Sequence, residues 1–110
     1  MNSIFPDMIK SLPKADVDIN GAAIYVLQST DYQFVFMEFK NDVILPDHDH
    51  DEQWEHVVSG KVDLTIDGIT KTYQRGDSFF VPNGCVHSGK IYAGYASIAL
   101  FNQKDRYLIK

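Results

Sequence analysis

Three of the four histidines fall in the stretch Asp47-His48-Asp49-His50-Asp51-Glu52-Gln53-Trp54-Glu55-His56, among carboxylates and one amide. Imidazole, carboxylate and amide groups at short spacing are the ligands a first-row metal ion takes. In an extended chain residues i and i+2 share a face, so His48 and His50 project together, as two imidazoles on one ion must. From there on, a strand places Gln53, Glu55 and Val57 on one face and Glu52, Trp54, His56 and Val58 on the other. A bend or bulge between His50 and Gln53 is therefore required if Gln53 is to join the histidines. His56, on the opposite face, reads as a structural or surface residue. The remaining histidine, His87, follows the turn Pro82-Asn83-Gly84, which is placed to aim it inward. The competing interpretation is a solvated acidic loop, since seven of the fifteen acids lie between Glu38 and Glu55.

The elements that must position these groups are strands. Ala22–Gln28 and Tyr32–Lys40 are rich in β-branched and aromatic residues and are separated by Ser29-Thr30-Asp31. Glu55–Ser59 and Lys61–Ile66 meet at Ser59-Gly60, and Asp67-Gly68 is a type I′ hairpin signal, because both residues tolerate a positive φ. Tyr73 leads to Gly76-Asp77, Ser78–Val81 is a short apolar strand, and Val86–Tyr92 and Tyr95–Phe101 close the series. Phe34, Phe36, Phe79 and Phe80 read as packing residues, and Trp54 as one that packs outside. Near the start, Phe5, Met8, Ile9 and Leu12 have the i, i+3, i+4, i+7 spacing of a helical face, with Pro6 suited to its first turn and Pro13 to its end. The sequence thus predicts an N-terminal segment with a short helix over residues 1–20 and an all-β domain over 21–110. The tail from Asn102 is mostly polar, with Tyr107, Leu108 and Ile109 to anchor it.

Two spaced patterns tie the histidines to that framework. Gly76, Pro82, Gly84 and His87 are separated by five, one and two residues, and His48, His50 and Gly60 fit the companion pattern upstream, with 15 residues between Gly60 and Gly76. Together they make the chain resemble the small single-domain cupins over about Val35 to Phe101. Two positions depart from the family's motifs: Asp42 stands where the first begins with glycine, and Ile91 where the second often continues to asparagine. Counting back from Gly60 puts Gln53 at the fourth-ligand position; counting forward from His50 by the longer spacing gives Glu55, and Glu52 is a weaker candidate. Gln53 is preferred because the glycine anchors the strand register, and Glu55 then becomes the candidate general acid or base.

The resemblance implies a single cupin β-barrel (a double-stranded β-helix, jelly-roll-like). It also implies one divalent first-row transition metal, Mn, Fe, Ni, Zn or Cu, held by His48, His50, Gln53 and His87. A neutral amide ligand would leave the ion's full double charge to favour anionic substrates. Small cupins with such a set include enzymes that convert unsaturated uronates to linear keto forms, so isomerase or tautomerase chemistry on a small polar or sugar-acid-like molecule is expected. The alternatives are an iron-dependent dioxygenase and a non-catalytic sugar- or metal-binding or sensing barrel. Cupins of this size are often homodimers, and Trp54 and the N-terminal segment are where a contact is expected.

Composition narrows the field. The chain has 110 residues, 45% of them hydrophobic and 23% charged, enough for one packed domain. Ten basic against fifteen acidic residues give a formal charge of −5, with no basic cluster to suit a nucleic acid. The longest apolar run, Ala22 to Leu27, is far short of the roughly 20 residues that span a bilayer. Cys85 is the only cysteine, and Met1 to Lys10 lack both a basic and an apolar signal region. The sequence therefore predicts a cytoplasmic protein, with Cys85 a small hydrophobe.

Overall fold

The computed structural model describes residues 3–110; Met1 and Asn2, at the start of the expected N-terminal segment, lie outside the described residues. A one-turn helix, α1 (Asp7–Lys10), precedes nine strands among the described residues: β1 (Ala22–Gln28), β2 (Gln33–Phe39), β3 (Val43–His48), β4 (Gln53–Ser59), β5 (Lys61–Ile66), β6 (Ile69–Gln74), β7 (Ser78–Val81), β8 (His87–Ile91) and β9 (Ala96–Phe101). They form two antiparallel sheets, ordered β1-β2-β9-β4-β7 and β3-β8-β5-β6. Among the described residues no helix is long and apolar enough to cross a membrane.

Alternation decides what faces inward. Along β2, Gln33, Val35, Met37 and Phe39 are buried while the residues between them are partly exposed. The inward rows of both sheets meet in one core, which includes Val26, Val35, Val57, Val62, Val81, Tyr95, Ala99 and Phe101. On the outside of the larger sheet, Phe5 is buried against Tyr25 and Ala96, with Ile9 and Leu12 alongside. Met8, expected on the same face, is 80% exposed. A single helical turn cannot carry a stripe of apolar residues, so the chain-end contacts made by Phe5 set its position instead.

Beside this covered patch runs an uncovered row. Strand register aligns Leu27, Phe34, Leu100, Trp54 and Phe80 directly across all five strands. Leu27, Trp54 and Phe80 are exposed, so Phe80 lies on the outer surface, whereas Phe79 is buried in the core.

Residues 13–16 and the C-terminal tail meet at one mouth of the barrel. Residues 13–16 follow β1, with Ala15 N donating to the Ile24 carbonyl, and Ala15 also pairs with Ile109. Asp16 N donates to the Leu108 carbonyl and Lys110 N to the Lys14 carbonyl, at 2.7 and 3.0 Å. The tail is fastened by Gln33, whose side chain accepts from Tyr107 N and donates to the Tyr107 carbonyl, each at 2.9 Å. A buried amide side chain here does what a neighbouring strand's peptide does elsewhere.

Candidate metal centre

The histidines are brought together by strand pairing and by two loops bonded to each other. His48 ends β3 and is the register partner of His87 at the start of β8, which places directly opposed side chains on one face. Pro46 carries no N–H for the ladder, and the register shifts between Leu45 and His48. His50 follows two residues later on the same side. Gly84 N donates to the His50 carbonyl at 2.9 Å, tying the Pro82-Asn83-Gly84 turn to the His50 loop. The chain bends at Asp51 before β4 begins at Gln53, so the parity break required by the sequence is present.

His48, His50 and His87 each offer a ring nitrogen within 4.8 Å of the other two, and the His48 and His87 ring centroids are 4.1 Å apart. Each Nδ1 faces a backbone carbonyl: Pro46 for His48 at 2.8 Å, Asp51 for His50 at 2.7 Å and Cys85 for His87 at 2.9 Å. A carbonyl oxygen only accepts, so every Nδ1 carries the proton and every Nε2 keeps its lone pair. That is the tautomer and orientation a metal-bound imidazole requires. Burial pushes the His50 pKa down to about 4, against the opposing pull of the Asp51 carbonyl, and Arg106, His87 and His48 depress it further. His87 is likewise lowered, by burial first. Three imidazoles whose lone pairs share one oriented set form a site a divalent first-row ion fits.

Gln53 and Glu55 point inward from β4 and are buried. The Gln53 amide nitrogen donates to Glu55 Oε1 at 2.5 Å, which fixes the amide so that its oxygen is the free end. The other carboxylate oxygen, Glu55 Oε2, accepts from the Tyr95 hydroxyl. Burial pushes the Glu55 carboxyl up, while the neighbouring hydroxyls and the Gln53 amide, Tyr95 first, pull it down. Burial and the Glu55 charge raise the Tyr95 phenol in turn. Glu52 is turned away: its side chain accepts from Asn102 Nδ2 at 2.9 Å. Neither Glu52 nor Glu55 joins the histidine group.

These residues share a cavity of about 480 Å³, walled mainly by apolar side chains such as Met37, Leu45, Leu64 and Phe79 and roofed by residues 16–19 and 106–108. The barrel is held around it at the positions the sequence motifs mark. Gly60 has a φ of 70°, and a Cβ there would stand 2.7 Å from the Tyr95 Cα, so the close approach that seats Tyr95 admits only glycine. Asp42 needs no such freedom, and its carboxylate accepts from Ala93 N at 2.8 Å. Ile91 is buried against the cavity. His56 faces out, bonded to Ser78 and stacked on Trp54; Cys85 is half-buried against the core. Tyr95, Arg106 and Tyr107 were not legible as site residues. Tyr95 begins an ordinary strand pattern, and the last two sit in a polar tail that no spacing links to the histidines.

Fold and site together define a β-barrel whose inward histidines form a candidate metal centre at the mouth of an apolar cavity. The chain belongs to the cupin family: the Cupin_2 family, described as a cupin domain, matches residues 35–92, just over half of it. An RmlC-like cupin from Shewanella frigidimarina is similar at 26% identity and a TM-score of 0.74, over 88% of this chain and 87% of its own. KdgF from a Halomonas species matches at 22% identity and a TM-score of 0.72, over 88% and 92%. Bacillus subtilis oxalate decarboxylase, a protein with Mn(II) centres, matches at 20% identity and a TM-score of 0.73, over 88% of this chain but 29% of its own. No curated protein matches by sequence.

Proposed function

We propose that the chain is a metal-dependent enzyme acting on a small anionic, sugar-acid-like molecule by isomerase or tautomerase chemistry. One observation carries this reading: three imidazoles with their Nδ1 protons tied to backbone carbonyls turn free Nε2 lone pairs toward one point of an apolar cavity. His48, His50 and His87 would hold the ion, with the Gln53 amide oxygen as fourth ligand. When bound, a divalent first-row ion supplies a Lewis acid that polarises a substrate oxygen. Glu55 is the group that holds and moves a proton, at a carboxyl that burial pushes up and that Tyr95 and Gln53 keep in place. A tautomerisation takes a proton from one position and returns it to another, so one such group suffices, with no oxidant. The structural likeness to oxalate decarboxylase supports manganese as the first ion to test.

The test is elemental analysis of tag-free protein reconstituted with Mn, Fe, Ni, Zn or Cu, beside a His48→Ala/His50→Ala control. About one ion per chain, lost in the control, is expected; no ion in either protein overturns the reading. The same proposal includes a second copy of the chain, seated on the row Leu27, Phe34, Leu100, Trp54 and Phe80. Leu100 is the middle of that row, so a two-fold axis there sets Leu27 against Phe80 and Phe34 against Trp54, as an isologous contact requires.

A further inference from the structure

Arg106 lies outside the residues the family match covers, and no role above uses it. Its side chain lines the same cavity as His48, His50 and His87. The guanidinium carbon is 4.6 Å from the Tyr107 ring centroid and 5.6 Å from that of Phe101, and Phe101 meets the His50 ring edge-on at 5.2 Å. One aromatic ring thus separates the guanidinium from the candidate metal centre. Arg106 Nε is buried without a hydrogen-bond partner. Among the described residues the one ion pair within 4.0 Å is Lys10 with Asp7, so no carboxylate of the chain neutralises Arg106. A permanently charged group with a buried, unpaired N–H is costly unless an acceptor arrives to meet it.

We propose that Arg106 is the anion-recognising residue of this cavity and takes the carboxylate of a small organic acid whose remaining oxygens reach the histidine cluster. This rests on the metal-site reading above and names the group its substrate must carry. A guanidinium presents two parallel N–H donors that fit the two oxygens of a carboxylate. Cation–π contacts with Tyr107 and Phe101 restrain the guanidinium, so less freedom is lost when the acid binds. Apolar walls strengthen the attraction, whereas Asp16 and Asp18, also lining the cavity, are exposed and their repulsion is screened by water and salt. A phosphate would bring a second charge that these walls leave unmet.

The test is calorimetric titration of two matched pairs, D-galacturonate with D-galactose and glycerate with glycerol, which differ by a carboxylate in place of a hydroxymethyl group. Metal-free and Mn-loaded protein are both titrated. Wild type is expected to bind at least one acid about tenfold or more tightly than its neutral partner. Arg106→Gln is expected to lose about tenfold or more for the acid, with the neutral partner and the metal stoichiometry unchanged. Arg106→Met keeps the stem that packs on the aromatics and carries the same expectation should the Gln variant not fold; Arg106→Lys recovers part of the loss. Equal affinity of wild type and the charge-removing variants for the acids, no preference for acid over neutral partner, or no binding of any probe by wild type overturns the proposal. A protein that takes no metal but selects acids through Arg106 overturns the metal reading alone, and one that takes metal but ignores Arg106 overturns this proposal alone.

Discussion

At the scale of single residues, the site is governed by which nitrogen or oxygen is left free. His50 shows the consequence for pH. Its folded value, about 4, lies below the ordinary 6.5, so between those values the unfolded chain binds a proton that the folded chain refuses. Stability from this group is therefore complete above pH 6.5, declines as the pH falls toward 4, and changes no further below that. The melting temperature of metal-free protein is expected to drop by several degrees from pH 7 to pH 5, with a shallower drop in His50→Gln; parallel curves for the two proteins contradict this. Glu55→Gln is expected to keep the metal but lose turnover by about a hundredfold or more, the scale of general acid–base catalysis. Unchanged turnover would leave Glu55 as a support for Gln53 and nothing more. His48 and His50 were legible from spacing and parity, and His87, Gln53 and Glu55 from the turn at Pro82–Gly84 and the two motifs by which the chain resembles the cupins. Whether Glu52 or Glu55 could displace Gln53 was not legible, since that depends on the bend at Asp51 and on the bond between Glu52 and Asn102.

At the scale of elements, what could be read followed burial contrast. Strands β1, β5 and β7 begin and end where the sequence places them, because turn residues bound an apolar or alternating run. Strand β3 was hidden, with Pro46 inside it and acids around it, and its register shift shows that it is irregular in fact. Strand β6 was hidden for another reason: Ile69 to Thr72 are all exposed, so no buried face marks it as a strand. The most consequential omission was the tail, whose attachment depends on a buried glutamine and not on apolar pattern. Gln33→Leu removes the partners of both Tyr107 backbone groups and is expected to lower stability by about 2–4 kcal/mol. Chemical denaturation measures that loss, and amide exchange should show residues 107–110 opening first. Leu108 and Ile109, expected as anchors, are 72% and 42% exposed. A variant as stable as wild type, with a protected tail, would therefore mean that Tyr107 packing and the backbone pairing with residues 14–16 suffice.

At the scale of the whole molecule, the two faces of the larger sheet divide the work: the inner one carries Gln53 and Glu55, the outer one a row of apolar side chains. Light scattering is expected to find a dimer of 12.5 kDa chains, and Trp54→Asp to shift it to monomer by placing charge against the partner's Phe34 in a dry contact. A wild-type monomer at micromolar concentration contradicts the second-copy reading and leaves the cavity untouched, since the row faces away from it. The pairing of residues 14–16 with 108–110 has a practical consequence at this scale. Any polypeptide joined after Lys110 departs two residues beyond Leu108, a part of the cavity's own roof. A polyhistidine purification handle fused there would hang over the three imidazoles as a tethered chelator. Its high local concentration would compete for the very ion being counted, so the handle belongs elsewhere or must be cleaved before any metal is assayed.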